Sequence, residues 1–310
     1  DRNGVKESIF MENIKDYSGR WRWNMVNDFR PQSIEYSGIK CYPTANYVNY
    51  YGMQNGYPIN DMTKADAESG YDPTHPWKNR DPRFYKTIMF DGVKWKSTGG
   101  AGGTAELFTG GRESEEANEK KGCFTAYMNS KLCPQLMNTV DGYKENNIMI
   151  LSLMRLADVY LMYAEATAVG YNGPKSKAAT YSLTAEEALN KIRERAGVAP
   201  VLDKFLGSTA DFLSELRRER AVELSFEGFR FIDLRRWMLL TQYPYTLKTK
   251  IEFDRADPSD YNYDEPEENA IKNLREVVLL ERKYTDRHYW YPLPKKDVSM
   301  YEGFYQNPGW

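Results

Sequence analysis

The sequence is poor in the residues that most often bind metals or act as nucleophiles. It has 3 cysteines and 2 histidines among 310 residues. Cys41, Cys123 and Cys133 match no metal-binding spacing and no C-x-x-C redox pair, and only Cys123 and Cys133 are spaced to close a short loop. His75 and His288 are too far apart to suggest a zinc site or a catalytic triad. We therefore expect at most one disulfide, no metal and no other cofactor.

Long apolar runs and an excess of one charge are also absent. No run approaches the roughly 20 apolar residues of a membrane-spanning helix. The 42 basic and 44 acidic residues give a net charge of -2, which provides no attraction toward nucleic acid or an anionic membrane. The chain begins at Asp1 without a methionine or a basic-then-apolar leader, so we interpret it as a processed or partial chain that has lost any export signal.

Aromatic residues, in contrast, are plentiful in a polar chain. The sequence has 24 Tyr, 7 Trp and 13 Phe, or 14% aromatic residues, while its mean hydropathy is -0.72. We expect most of these rings to pack loops that lack regular structure. A minority is expected to form an exposed stacking platform for sugar rings or other planar ligands.

The two ends of the chain are predicted to be irregular. Residues 1–150 are rich in Gly, Pro, Asn, Asp and aromatics, which indicates long ordered loops with short strands. The stretch Lys96 to Thr104 is expected to be a flexible loop, because it lacks the Gly-Lys-Ser/Thr ending of a phosphate-binding loop. Residues 241–310 are predicted to hold an acidic surface loop, a strand or helix end at Val277 to Lys283, and an aromatic terminus docked on the body.

The acidic loop carries four carboxylates that we considered as a calcium-binding site. Oxygen ligands suit Ca²⁺, but a solvated acidic loop is the interpretation that we favour. The residues concerned are Asp257, Asp260, Asp264 and Glu265.

Residues 151–240 are predicted to form the helical core. The inward face of the first helix is expected to comprise Leu156, Val159, Tyr160, Tyr163, Ala164 and Thr167. A capping box of Thr184 and Glu187 opens the second helix, and Gly197 ends it. Its apolar face is predicted from Ala185, Ala188, Leu189, Ile192 and Ala196. Small residues on both helices permit close approach, which is typical of a tetratricopeptide-like helical hairpin; they are Ala157, Ala164, Ala188 and Ala196.

A third helix, from about Thr209 to Gly228, places charges on its apolar stripe. The stripe is expected to comprise Leu213, Leu216 and Leu224. Buried charges persist only when they are paired, so we predict a structural ionic network in which Arg220 bridges Glu223 and Glu227, or in which charged residues beyond the helix complete it. The network residues are Arg220, Glu223, Glu227, Arg230, Asp233, Arg235 and Arg236.

The same carboxylates permit a second interpretation, a catalytic acid/base pair in a cleft. Arginines at this density would keep both acids ionised, which suits architecture better than proton donation.

Six motifs in this order resemble the SusD/RagB family of outer-membrane nutrient-binding lipoproteins. They are PTANYVNYYGMQNGYPI (Pro43 to Ile59), SGYDPTHPWKNRDPRFYKTIM (Ser69 to Met89), MRLADVYLMYAEA (Met154 to Ala166), LNKIRERAGV (Leu189 to Val198), RRERAVELSFEGFRFIDLRRW (Arg217 to Trp237) and YWYPLPKKDV with the final QNPGW. The resemblance implies one mainly α SusD-like domain over residues 1–310, with a tetratricopeptide-like hairpin, long irregular loops and short strands. It also implies that an N-terminal half with a lipid-modified cysteine is missing.

The resemblance further implies a function. Family members capture oligosaccharides or other nutrients at the cell surface and deliver them to a SusC-like TonB-dependent outer-membrane transporter, without bond chemistry. The chain is accordingly expected to be a non-enzymatic outer-membrane lipoprotein that contacts the membrane only through an anchor outside this sequence, and to bind no nucleic acid. Two alternatives stay open: a carbohydrate-active enzyme that uses Glu223 or Glu227, and a tetratricopeptide-like interaction module without a small ligand.

A sugar site needs aromatic faces and planar hydrogen-bonding groups. Trp21 and Trp23 share one face if their segment is extended, with Asn24 on the other; the alternative is that the indoles anchor the missing half. The further candidates are Trp95, Arg112, Tyr71 and Trp77. Tyr71 and Trp77 lie inside a family motif, which favours a role in the fold for them.

Overall fold

The computed structural model describes residues 6–12, 42–59, 66–96, 102–117, 119–132 and 151–310. Within these ranges the architecture is mainly helical, with two-stranded antiparallel sheets attached to it. The helices are α1 (Ala45–Val48), α2 (Pro82–Thr87), α3 (Leu156–Gly170), α4 (Ala185–Ala196), α5 (Thr209–Glu223), α6 (Phe229–Arg236) and α7 (Lys295–Val298). The strands are β1 (Ser8–Glu12), β2 (Ile88–Met89), β3 (Lys94–Lys96), β4 (Gly102–Thr104), β5 (Met128–Asn129), β6 (Leu151–Arg155), β7 (Leu247–Arg255) and β8 (Ile271–Glu281).

Helices α3 and α4 form a hairpin whose interface is made of small side chains. Ala164 and Ala168 of α3 share one buried cluster with Ala185 and Ala188 of α4, and Leu216 of α5 belongs to the same cluster. Alanine carries only a Cβ atom, so the helices can pack at short range. The predicted helical hairpin is confirmed.

The ends of α4 follow from local hydrogen bonding, as predicted. The Glu187 amide donates to the Thr184 hydroxyl over 3.2 Å, and the Thr184 amide donates to the Glu187 carboxylate over 2.7 Å. Gly197 then ends the helix in the left-handed region, with φ 75°. These bonds satisfy backbone groups that a helix leaves unpaired at its ends.

The inward face of α3 differs from the predicted one. Ala157 and Leu161 are buried, whereas Leu156 is 38% exposed. The cause is Asp158, which is buried and accepts a hydrogen bond from Arg220 over 2.5 Å. The helix is therefore turned so that this carboxylate points inward, a rotation that apolar periodicity does not predict.

The third predicted helix is shorter than expected, and α6 begins only beyond its predicted end at Gly228. Helix α5 ends at Glu223, and a turn follows in which Phe226 has φ 60° and Gly228 has φ 87°. A left-handed conformation cannot continue a right-handed helix, so the chain changes direction and α6 starts after Gly228. Leu216 and Leu224 of the predicted apolar stripe are buried, but Phe212 is buried in place of Leu213.

A long hairpin occupies part of the C-terminal region that was predicted to be irregular. Strands β7 and β8 pair antiparallel, with Ile251 opposite Glu276. Ile251 and Phe253 of β7 point into the main core. Val277 to Lys283, predicted as a strand or helix end, begins inside β8 and runs beyond its end at Glu281.

A second, smaller hairpin lies where the glycine loop was expected. Trp95 of β3 pairs with Gly103 of β4. A Cβ atom on Gly103 would lie 2.7 Å from the Trp95 ring, so glycine lets the indole cover the strand. Residues 97–101 of the predicted loop are outside the described residues.

Aromatic rings build the core of the loop-rich part, as the composition predicts. The Phe84 and Phe90 rings are stacked with centroids 5.2 Å apart. Arg80 is 1% exposed beneath them, and it donates to four backbone carbonyls, those of Val48, Tyr51, Gly52 and Pro76. A buried guanidinium thus satisfies carbonyl groups that regular secondary structure would otherwise pair.

Cys123 is a free, buried thiol in this core. Its Sγ lies 3.1 Å from the Tyr127 carbonyl, and burial raises the pKa of the thiol to about 11. The disulfide considered for Cys123 is therefore not formed. Cys133 and Cys41 lie outside the described residues.

The aromatic terminus is held by polar contacts, while many of its rings remain exposed. The Gln306 side chain exchanges hydrogen bonds of 2.7 and 2.9 Å with the Leu293 backbone. Tyr301 and Tyr305 are nevertheless 66% and 82% exposed. The expectation that this segment docks by burying its rings is met by Tyr289, which belongs to a buried cluster on the body, but not by these exposed rings.

Arg220 joins the three main helices. From α5 it donates to Asp158 of α3 over 2.5 Å and to Asp233 of α6 over 2.7 Å. All three side chains are buried. Removing the guanidinium takes away the ion-pair partner of the buried Asp158 and leaves Asp233 with Arg236 alone, which is a large penalty.

We predict that Arg220→Ala lowers the free energy of unfolding by about 3–5 kcal/mol. The matched control is Arg275→Ala, which removes a 72% exposed partner of Glu252 and should cost less than about 1 kcal/mol. Urea titration of both variants measures the difference. An Arg220→Ala variant that unfolds normally but loses affinity for a ligand would contradict this structural role.

Candidate functional site

Two open clefts differ in their chemistry. One, of about 680 Å³, is lined largely by ionised residues between β6, α2 and the end of α5. The other, of about 650 Å³, is lined by tyrosines, asparagines and arginines. The first contains Glu223 and Glu227, the carboxylates considered above for catalysis. The second combines aromatic rings with polar side chains, as ligand sites do.

The ionic cleft lies at the C-terminal end of a row of carboxylates on one face of α5. Glu219 accepts from Arg83 over 2.5 Å and from Arg193 over 3.0 Å. One turn later, Glu223 accepts from Arg83 over 2.9 Å and from Arg155 over 2.6 Å. One turn before Glu219, Glu215 forms an ion pair with Arg193. Neighbouring carboxylates therefore share an arginine, so that carboxylates and guanidiniums alternate in a chain of ion pairs.

These contacts decide the protonation of Glu219 and Glu223. Burial alone would raise both pKa values, but the guanidiniums outweigh it: Arg83 and Arg193 lower the pKa of Glu219 to about 2, and Arg155 and Arg83 lower that of Glu223 to about 2. A general acid needs a pKa near the working pH. Glu223 is ionised at neutral pH, so its setting suits architecture and not proton donation.

The predicted network residues fall into separate groups. Arg220 lies between Asp158 and Asp233, and does not bridge Glu223 and Glu227. Glu227 is bound instead by Lys131 and Arg155, at 2.6 and 2.8 Å. The groups form because α5 ends at Glu223, which carries Glu227 away from Arg220.

Beyond the turn, the other network residues have different partners. Arg236 donates to both oxygens of Glu165 over 2.7 Å and to Asp233 over 2.8 Å. Arg235 donates to the Tyr289 carbonyl. Arg230 bonds a tyrosine in the second cleft.

The second cleft lies between α1, α5 and the β7–β8 hairpin. Tyr243 and Tyr245, on the segment before β7, line it together with Tyr50. We call it the tyrosine cleft. The polar, charged and tyrosine side chains that line it include Asn46, Asn49, Tyr50, Asp66, Lys204, Glu215, Arg217, Arg218, Arg230, Tyr243, Tyr245, Thr249 and Glu276.

Arg230 orders the rings of the tyrosine cleft. Its guanidinium lies 4.8 Å from the Tyr50 ring centroid and 5.5 Å from that of Tyr245. One of its nitrogens also donates to the Tyr50 hydroxyl over 2.8 Å. Tyr243 is 76% exposed at the opening. Rings that are fixed on one side and open on the other form a surface on which a planar or ring-shaped ligand can stack.

Polar atoms in this cleft lack partners within the described structure. Asn49 is 5% exposed, and its Oδ1 accepts no hydrogen bond there. Asn46 donates from Nδ2 to the Leu247 carbonyl over 2.8 Å, but its Oδ1 also has no donor. The Nε–H of Arg217 is likewise unpaired. Such groups are costly unless a ligand or water satisfies them.

The tryptophan candidates have different locations. Trp21, Trp23 and Asn24 lie outside the described residues. Trp95 is half-buried on β3, and the Arg112 guanidinium lies 6.0 Å from its ring centroid. Arg112 is held by Glu113 at 2.6 Å and by the Thr104 carbonyl at 2.9 Å, so the structure brings these two candidates together at a hairpin outside the tyrosine cleft.

The remaining two candidates lie in or against the aromatic core. Trp77 has 0% exposure and packs on Phe90 with ring centroids 5.0 Å apart. Tyr71 packs against the same cluster. Trp77 therefore presents no surface to a ligand and stabilises the fold.

The described part of the chain holds no group of three or more His, Cys, Asp or Glu side chains that could bind a metal. Asp264 pairs with Lys94 at 2.5 Å, and His75 pairs with Asp72 at 3.0 Å. His288 bonds the Thr285 amide at 2.9 Å. Among the described helices, none is both long and apolar enough to span a bilayer.

The tetratricopeptide-like helical hairpin, with loop-rich segments and short strands packed against it, defines a mainly α scaffold. Comparison with known proteins makes the assignment specific. The family model of the SusD family matches residues 6–310, and the chain belongs to that family.

Solved structures share the fold at low sequence identity. A SusD-like protein from Bacteroides fragilis NCTC 9343 aligns with a TM-score of 0.71 and 22% identity, over 99% of this chain and 55% of that one. The protein BT4246 aligns with a TM-score of 0.66 and 20% identity, over 100% of this chain and 51% of that one. The chain thus spans about half the length of these structures. No curated protein matches it.

The ion pairs of α5 predict a specific acid sensitivity. The pKa values of Glu219 and Glu223 are lowered in the folded state to about 2, so their ion pairs contribute their full stability above the unfolded carboxyl pKa of about 4.3. That contribution is lost as pH falls from about 5 toward 2.

We therefore expect urea midpoints that stay nearly constant between pH 8 and 6 and fall steeply below pH 5. Glu219→Gln should be less stable at neutral pH and should show a shallower acid decline. An unchanged slope in this variant would contradict the proposed pairing.

Proposed function

We propose that the protein is a cell-surface nutrient-binding protein that captures a saccharide in the tyrosine cleft. The observation that carries the proposal is the combination of stacking tyrosines with unpaired polar atoms in one open cleft of a SusD-family fold. Family membership supports a binding role in general, and the chemistry of the cleft supports a sugar ligand in particular.

The cleft matches the two surfaces of a sugar ring. The apolar face of a pyranose packs on aromatic rings, and Tyr50, Tyr243 and Tyr245 provide such rings. The hydroxyls at the ring edge need planar acceptors and donors, which Asn46 and Asn49 provide. Neutral amides suit reversible capture because they bind hydroxyls without changing them.

We infer that capture occurs without catalysis. Glu223 and Glu227, the carboxylates that suggested an enzyme, are bound by arginine and lysine in the other cleft. Ion-paired glutamates stabilise the helix corner but give no acid for glycoside cleavage.

The place and partner that we propose follow from the family alone. The complete protein would be a lipoprotein of the outer-membrane surface, anchored by a segment outside this chain. It would deliver its ligand to a SusC-like TonB-dependent transporter. Co-purification of the full-length protein with a barrel partner tests this part of the proposal.

We predict that Tyr243→Ala lowers the affinity for a bound oligosaccharide about fivefold or more, since one stacking ring contributes roughly 1–3 kcal/mol. Tyr305→Ala is the matched control, because Tyr305 is an exposed tyrosine that does not line the cleft. Calorimetry with a panel of neutral and acidic oligosaccharides measures both, and no reducing ends should appear.

Trp21→Ala and Trp23→Ala test the other candidate platform in the same assay. If either change abolishes binding while Tyr243→Ala leaves affinity intact, the site is the tryptophan segment and the assignment to the tyrosine cleft is wrong.

A further inference from the structure

Only some of the charged side chains that line the tyrosine cleft form ion pairs with one another. Two of its ion pairs are internal: Lys204 donates to Asp66 over 2.9 Å, and Arg218 donates to Glu215 over 2.9 Å. Besides these pairs, the charged side chains that line the cleft are those of Arg217, Arg230 and Glu276. Two guanidiniums face one carboxylate, so the cleft has an excess of positive charge.

Neither guanidinium is paired with a carboxylate in the described part of the chain. Arg230 donates to the neutral Tyr50 hydroxyl over 2.8 Å. Arg217 lies 5.5 Å from the Trp237 ring centroid, and its Nε–H has no acceptor. Other buried arginines of α4 and α5 are paired with carboxylates, Arg193 with Glu219 for example. The two arginines of the cleft therefore differ from the arginines that hold α4 and α5 together.

Glu276 offsets only part of this positive charge, because it is one carboxylate beside two guanidiniums. Its carboxylate accepts a hydrogen bond from the Thr249 hydroxyl at 2.5 Å, on the wall made by the β7–β8 hairpin. The positive potential also reaches the neighbouring Lys248. Burial, together with the charges of Arg282 and Arg230, lowers the pKa of Lys248 to about 8.

The unpaired atoms point to two kinds of group on one ligand. The Oδ1 atoms of Asn46 and Asn49 need hydrogen-bond donors, and Asn49 is 95% shielded from solvent, being 5% exposed. Sugar hydroxyls are donors of this kind. The guanidiniums need anionic acceptors, and the planar fork of arginine matches carboxylate and sulfate oxygens.

We propose that the tyrosine cleft is selective for an acidic saccharide, whose carboxylate or sulfate is bound by Arg217 and Arg230 while its hydroxyls donate to Asn46 and Asn49. The inference rests on the proposed function and specifies its ligand class. The tyrosines bind the ring, and the arginines distinguish acidic from neutral sugars.

The test uses calorimetry with four probes at 50 mM and 500 mM NaCl: tetragalacturonate, its carboxyl-reduced counterpart, a chondroitin sulfate tetrasaccharide and cellotetraose. We expect at least one acidic probe to bind more tightly than both neutral probes by about tenfold or more. High salt should weaken the binding of that probe and leave neutral probes unaffected. Binding of tetragalacturonate that its carboxyl-reduced counterpart loses identifies a carboxylate as the recognised anion. Binding of the chondroitin sulfate probe alone, which carries both carboxylates and sulfates, indicates that sulfate is needed.

The variants locate the selectivity. Arg217→Gln and Arg230→Gln should each weaken the acidic probe about tenfold, and Arg230→Lys should recover part of the loss because it restores the charge. The control is Arg282→Gln, which removes a nearby exposed cation that does not line the cleft; it should change affinity less than about threefold. Thermal melting of each variant checks that it is folded.

The outcomes separate the two proposals. Binding of neutral probes that depends on Tyr243, without binding of acidic ones, would overturn the acidic selectivity and leave sugar capture in the cleft intact. Acidic binding that Arg217→Gln and Arg230→Gln leave unchanged would also overturn the selectivity. If a wide glycan panel shows no binding to the complete protein, both proposals fail.

Discussion

The pairing of carboxylates on α5 with arginines from surrounding elements is the interaction on which this structure depends. Glu215, Glu219 and Glu223 follow one another at intervals of one turn, so they project from one face of the helix. Arginines from α2, α4 and β6 converge on that face. Burying so many charges is costly unless every one is paired, which restricts how these elements can be arranged. The ionic face fixes the helical hairpin against the loop-rich part.

The tyrosine cleft depends on the same helix. Arg218 of α5 pairs with Glu215 and also donates to the Tyr50 and Gly56 carbonyls over 3.1 Å. Arg218 therefore links α5 to the backbone of the loop-rich part, next to the cleft. Arg217, the preceding residue, is left without a carboxylate in the described residues and lines the opening. One stretch of helix thus contributes structural charge on one side and recognition charge on the other.

Local sequence patterns predicted the elements whose structure depends on neighbouring residues. They failed where contacts with residues distant in sequence determine which side chains are buried or brought together. Thr184 and Glu187 predicted the start of α4 because a capping box is complete within four residues. The face of α3 was predicted only in part, because Asp158 is buried by Arg220, 62 residues away. The cleft was missed for the same reason: Tyr50 and Arg230 are 180 residues apart. The excess of tyrosine signalled such a site, but only the fold shows which rings share it.

A double-mutant cycle between Arg83 and Glu219 tests the central claim most directly, because this ion pair joins the loop-rich part to α5. Unfolding free energies would be measured for Arg83→Met, Glu219→Leu and the double variant. If the ionic face fixes the two parts together, the coupling energy should be about 2 kcal/mol or more. A coupling energy within about 0.5 kcal/mol of zero would show that the two substitutions act independently, and would contradict the account.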